Sequence, residues 1–135
     1  MAHDVATSPD GARLCVTSTE DSLVRVLDSR TLQFRFSVMV GTPPQHVAFG
    51  LFSGTPAYLT SGYASRIELV NPLNGRIRRI ASVPYGSFNL TTIGSNVVTS
   101  SLIRGTVTTL DGDLRLRRTV RVAHAARGIA TVVWP

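Results

Sequence analysis

An all-β fold is what this sequence predicts, and three observations predict it. A phrase recurs: Leu14-Cys15-Val16-Thr17-Ser18 leads to Leu23–Asp28, Ala57–Ser61 leads to Arg66–Asn71, and Asn96–Ser100 leads to Thr106–Asp111. Val5, Val47, Leu90 and Ile129 open successive units, spaced by 42, 43 and 39 residues. No stretch holds apolar residues at helical spacing for long enough to make a helix. A period of about 40–45 residues with four short strands per unit marks propeller blades. The expected architecture is a partial β-propeller: about three four-stranded antiparallel blades plus one strand of a fourth. One domain is expected over 1–135, with blades near 3–41, 46–83 and 88–123 and the next blade's first strand over 128–134.

Each element has its own justification. In the first unit, His3–Ser8 reads as strand a and Pro9-Asp10-Gly11 as a tight turn, because Pro presets φ and Gly tolerates positive φ. Leu14–Thr17 reads as strand b, Leu23–Leu27 as strand c and Leu32–Val40 as strand d. β-Branched and aromatic residues dominate these runs, as half-buried strands favour. Gly41-Thr42-Pro43-Pro44 then carries the chain to the second unit. There, Val47–Phe49, Tyr58–Ser61, Ile67–Val70 and Arg76–Ser82 are the strands; Leu51–Pro56 replaces the first turn and Asn74-Gly75 signals a hairpin. The third unit runs Phe88–Ile93, Val97–Ser100, Thr106–Leu110 and Leu114–Val122, with Asp111-Gly112 as its hairpin. Asp28, Asn71 and Asp111 end the three c strands, where a short polar side chain bonds backbone groups two residues on.

Composition bounds the chemistry. Hydrophobic residues make up 43% of the chain, which suits a globular fold rather than a disordered one. No apolar run is long enough for a membrane span, so no membrane insertion is expected. Blade sequence follows Met1 at once, so secretion would need an upstream segment. Cys15 is the single cysteine and reads as a small core residue. The net charge is +6, and every one of the 14 basic residues is Arg. Residues 1–70 hold five Arg against six acids; residues 71–135 hold nine Arg against two.

The phrase Ser8-Pro9-Asp10-Gly11, then Leu14–Ser18, then Val24-Arg25-Val26-Leu27-Asp28 resembles the YVTN-repeat β-propellers of prokaryotes. Gly41–Phe49 is similar to the linker between such repeats. Cys15 stands where that family has Tyr, and the Pro-Asp-Gly turn is missing from the second and third units. The resemblance implies a seven-bladed, quinoprotein-dehydrogenase-like propeller, often periplasmic, secreted or at the cell surface. Propellers close with about 4–8 blades, and repeat units cannot bury their apolar faces alone. Three blades therefore call for the remaining blades of a longer YVTN-type protein, or for a second copy of the chain.

Two groups of residues are candidate sites. His3, Asp4, His46 and His124 lie near blade openings and are placed at one mouth of the central channel. His3 is two before Val5, His46 one before Val47 and His124 five before Ile129. A metal site needs three or four convergent ligands, so neither a metal nor a cofactor is expected. Arg115, Arg117, Arg118 and Arg121 crowd the third d strand, where charge protects an exposed edge. Alternation would put Arg115, Arg117 and Arg121 on one face as an anion site, but no stacking aromatics accompany them for nucleic acid. No catalytic motif is present. The function expected is a non-catalytic binding or scaffold module for protein, carbohydrate or a small ligand. The alternatives are part of a propeller enzyme, lactonase or quinoprotein-dehydrogenase-like, and anion or nucleic-acid binding through the Arg-rich half.

Overall fold

A computed structural model describes residues 1–50, 56–130 and 132. Three four-stranded antiparallel sheets follow one another along the chain. Blade 1 holds β1 (Ala2–Thr7), β2 (Arg13–Ser18), β3 (Leu23–Asp28) and β4 (Phe34–Met39). Blade 2 holds β5 (Val47–Phe49), β6 (Ala57–Ser61), β7 (Arg66–Val70) and β8 (Ile77–Ser82). Blade 3 holds β9 (Ser87–Ile93), β10 (Asn96–Ser101), β11 (Thr106–Asp111) and β12 (Leu116–Arg121). First strands pack on first strands, β1 on β5 and β5 on β9, and each blade's second strand packs on the next blade's first. The fourth strands are therefore the outer rim. The fold is a partial β-propeller.

The strands begin later than their apolar runs for a local reason. Leu32 and Leu114 have φ of 58° and 60°, so both belong to the c–d hairpin rather than to the strand after it. Gly75, with φ of 73°, occupies the same place in blade 2. Each c–d pair carries an irregularity at the same point, at Val26/Leu27, Leu69/Val70 and Thr109/Leu110. The polar residue that follows ties the turn. Asp28 Oδ1 accepts from the N–H groups of Arg30 and Thr31, Asn71 Oδ1 from Leu73, and Asp111 Oδ1 from Asp113 and Arg115. The turn expected over 51–55 lies outside the described residues. Of the segment 128–134, Gly128, Ile129, Ala130 and Val132 carry no regular element, and the rest lie outside the described residues.

Two cores hold the arc together, one at each junction. Cys15, Val24, Val26 and Val38 of blade 1 pack on Val47, Phe49, Leu59 and Val70 of blade 2. Tyr58, Ile67 and Leu69 of blade 2 pack on Leu90, Val97 and Leu110 of blade 3. Alternation along β6 sends Ala57 and Leu59 one way and Tyr58 the other, so this strand is buried throughout. Polar groups cross the same junctions. The Tyr58 hydroxyl donates to Gly112 O, and Thr92 Oγ1 donates to Phe49 O. Glu68, almost fully buried, accepts from the Gly41 N–H and the Thr42 hydroxyl, which pins the linker between blades 1 and 2.

A further contact repeats. Thr17 and Thr60 sit at the same place on their b strands and are both fully buried. Thr17 Oγ1 accepts from the Asp4 N–H of its own blade and donates to Gln45 O of the next. Thr60 Oγ1 accepts from the His46 N–H and donates to Phe88 O. Ser100 holds the corresponding place in blade 3, and its buried Oγ has no partner among the described residues.

Candidate functional site

The blade openings and the b–c turns meet at one end of the arc and enclose a cleft of about 260 Å³. Its walls include His3, His46, Tyr63, Phe88, Asn89 and Arg127. His3 sits on β1, His46 just ahead of β5, and Asn89 on β9, so the openings of successive blades supply these three side chains. Tyr63 comes from the b–c turn of blade 2 and meets the Phe88 ring edge-on at 4.9 Å. Gln45 forms part of the floor: its carbonyl receives Thr17, and its Oε1 accepts from the Gly62 N–H at 2.6 Å.

The two imidazoles are held in the same manner. His3 Nδ1 lies 2.9 Å from Gln45 O, and since a carbonyl only accepts, Nδ1 carries the proton. His46 Nδ1 lies 3.3 Å from Asp4 Oδ2, so it too donates inward. The rings meet edge-on with centroids 5.3 Å apart. Each ring therefore keeps an Nε2 with no protein partner among the described residues. Asp4 Oδ2 also accepts from the Val47 N–H at 3.0 Å. Burial works to raise the Asp4 carboxyl, but the His46 hydrogen bond, the Val47 N–H and the charge of His46 together hold it below its ordinary value. The carboxylate thus orients His46 and fastens blade 1 to blade 2.

The structure brings His3, Asp4 and His46 together and leaves His124 out. His124 is exposed in the chain after β12 and lines no part of the cleft. Its larger offset from the next unit already separates it from the other two. Among the described residues, no three His, Cys, Asp or Glu converge to hold a metal ion. No helix there is long and apolar enough to cross a membrane. Tyr63, Phe88, Asn89 and Arg127 belong to the cleft but were not marked by any motif. Gln45 was legible only as part of a Pro-Pro linker.

The Arg-rich strand differs from simple alternation. Arg115 precedes β12, and Arg117 sits at the irregularity opposite Thr109/Leu110. Arg118 pairs with Thr109 and Arg121 with Thr106, on opposite faces of the sheet. The bulge inserts one residue and shifts the alternation, so the four side chains do not form a row. Arg115 faces Asp113 at 3.7 Å and Arg117 faces Asp111 at 3.0 Å, while Arg118 and Arg121 have no ion pair among the described residues.

No family model matches the chain. No curated protein matches it either. Among solved structures it is similar to a chain of Kuenenia stuttgartiensis hydrazine synthase, with a TM-score of 0.80 at 16% identity. The match covers 90% of this chain and 36% of that one, so this chain spans little more than a third of its relative. At that identity the likeness is one of fold.

Proposed function

We propose that this chain is a YVTN-type propeller module that binds rather than transforms its ligand, through the cleft at the blade openings. One observation carries the reading: both imidazoles turn Nδ1 into the protein and leave Nε2 unpartnered, beside Tyr63 and Arg127. Hydrogen bonds to His3 and His46 fix the rings without using their outer nitrogens. The Arg127 guanidinium has no ion pair among the described residues, and the Tyr63 ring is 70% exposed. A rigid frame with polar groups on its loops and strand ends is the usual design of a binding surface. The combination suits a small polar ligand carrying an anionic group and a flat face, such as an acidic sugar. Among the described residues, no Ser, Thr or Cys lines the cleft.

Isothermal titration with glucuronate, and with glucose as the uncharged control, tests this. Binding of glucuronate alone is expected, lost in His46→Ala and in Tyr63→Ala with the β-sheet circular dichroism unchanged. Equal heats from both sugars, or glucuronate binding that survives both substitutions, would overturn it. The Asp4–His46 pair, 3.3 Å apart, supports a second reading as part of a lactonase-like propeller. A carboxylate that orients an imidazole is half of a general-base arrangement. Hydrolysis of a simple γ-lactone, abolished by His46→Ala, would favour that reading over binding alone.

A further inference from the structure

The cleft at the blade openings holds its two imidazoles in the way that metal-binding histidines are held. A histidine that ligates an ion through one ring nitrogen usually donates its other N–H to a carboxylate or a backbone carbonyl, which fixes the tautomer and the ring plane. His46 Nδ1 donates to Asp4 Oδ2 at 3.3 Å, and His3 Nδ1 donates to Gln45 O at 2.9 Å. Both kinds of support are present, and both are tied into the fold. Asp4 Oδ2 also accepts from the Val47 N–H, and Gln45 O also accepts from the Thr17 hydroxyl. Each ring keeps a lone pair at Nε2, and both rings line the cleft. Their spacing fits one shared ion. A Zn–N bond of about 2.0–2.1 Å puts an imidazole centroid about 3.2 Å from the ion, so two rings at the tetrahedral angle stand about 5.2 Å apart. The His3 and His46 centroids are 5.3 Å apart.

We propose that His3 and His46 bind one divalent transition ion, of the zinc, nickel or copper class, through their Nε2 atoms. Neutral imidazole suits these ions, whereas Mg²⁺ takes oxygen ligands. Asn89 supplies a third ligand. Its Nδ2 donates to Arg127 O at 2.8 Å, so its Oδ1 is the atom that serves an ion from the same cleft wall. Water takes the remaining position. Three protein ligands and one solvent position make an open site rather than a closed structural one. His124, exposed after β12, has no part in it. Of the charges at the cleft, Arg127 opposes a cation, and Asp4, bonded directly to one ligand, favours it. The site goes beyond the acidic-sugar reading, because it needs neither the Tyr63 ring nor an anionic ligand.

Isothermal titration of the 135-residue chain with zinc chloride tests this, in a non-chelating buffer at about pH 7.5, where an ordinary imidazole is neutral. One Zn²⁺ per chain is expected, with a Kd below about 100 µM, and no binding of Mg²⁺ from magnesium chloride. His3→Ala and His46→Ala should each weaken binding at least about tenfold. Asp4→Asn, which keeps an acceptor for the Val47 N–H, should weaken it by about 10–100-fold. His124→Ala should leave it unchanged. Tyr63→Ala, which should abolish glucuronate binding, should leave Zn²⁺ binding unchanged too, so the two readings fail separately. Nitrogen NMR of the unsubstituted chain gives a second readout that needs no variant to fold: Zn²⁺ should shift Nε2 of His3 and His46 and leave His124 alone. No binding at about 1 mM Zn²⁺ would overturn the proposal. So would an equal affinity for Mg²⁺, an affinity indifferent to His3→Ala or to His46→Ala, binding that His124→Ala removes, or imidazole shifts confined to His124. Circular dichroism of each variant separates loss of the site from loss of the fold.

Discussion

Thr17 and Thr60 place a fully buried hydroxyl between two backbone groups of different blades, so removing it strands the N–H of Asp4 or of His46 and breaks a bond to the next blade. Thr17→Val or Thr60→Val keeps the shape and should cost about 1–3 kcal/mol in urea unfolding, the penalty of unsatisfied buried groups. Cys15 offers a reporter of the same junction. Burial pushes its thiol up to about 11, despite the opposing pull of Arg13. The thiolate is the reactive form, so labelling by a disulfide reagent at pH 8 should be slow in the folded protein and fast in urea. Acid should act through the carboxylates. Asp28 is held well below its ordinary value by the Arg35 hydrogen bond first, then by the N–H groups of Thr31 and Arg30. Asp4 and Asp111 are lowered too, Asp111 chiefly by the Arg115 N–H. A carboxyl lowered on folding adds stability above its unfolded value, and that stability drains as pH falls through the folded value. The urea midpoint should therefore hold steady from neutral pH to the ordinary carboxylate range and fall below it, with a smaller drop in Asp4→Asn. A midpoint independent of acid would contradict the assignment.

The hairpins show what a repeat leaves open within each element. Leu32, Gly75 and Leu114 share one left-handed position, and only Gly75, with no Cβ, is suited to it. Leu32 is exposed, so Leu32→Gly should relieve strain at little loss of packing and raise stability by about 0.5–1 kcal/mol. Leu114 is buried in the core between blades 2 and 3, and the same change there should destabilise. A Cβ at Gly75 would meet Val38 Cγ1 at 2.5 Å, so Gly75→Ala should cost stability as well. Strand ends were the least legible feature for this reason: an apolar Leu reads as strand, and nothing local announces its positive φ. The c-strand polar residues were legible because Asp and Asn at a turn have one dominant use. Arg118 and Arg121 lie exposed on β12, the edge strand of blade 3, where charge disfavours pairing with another chain. Replacing both with Val leaves a β-branched run on that edge, and light scattering on warming should show aggregation well before the parent chain aggregates.

At the scale of the whole arc, the middle blade is the part buried on both sides. Ile67, fully buried between blades 2 and 3, should lose about 2–5 kcal/mol on truncation to Ala. Val16→Ala, on the free face of blade 1, should cost far less in the same denaturation experiment. The radial plan was legible in the sequence because the period itself specifies it, even where the third unit has lost most of the phrase. The cleft was legible only in part. His3, Asp4 and His46 stand beside the repeated opening Val, but Tyr63, Phe88 and Arg127 reach the same place from turns and linkers that carry no motif. The Thr hydroxyls lay in plain view within Thr17-Ser18 and Thr60-Ser61, yet a Thr on a strand has too many ordinary uses to announce a bond to the following unit. That bond also gives the molecule a polarity. Blades 1 and 2 each offer a hydroxyl forward and blades 2 and 3 each receive one from behind, so neighbours are never interchangeable. A wedge grafted ahead of Met1 must bring its own donor, whereas one grafted after the last strand finds a donor already waiting. Growth by duplication, in a design or in a lineage, is therefore expected to succeed more readily at one terminus than at the other.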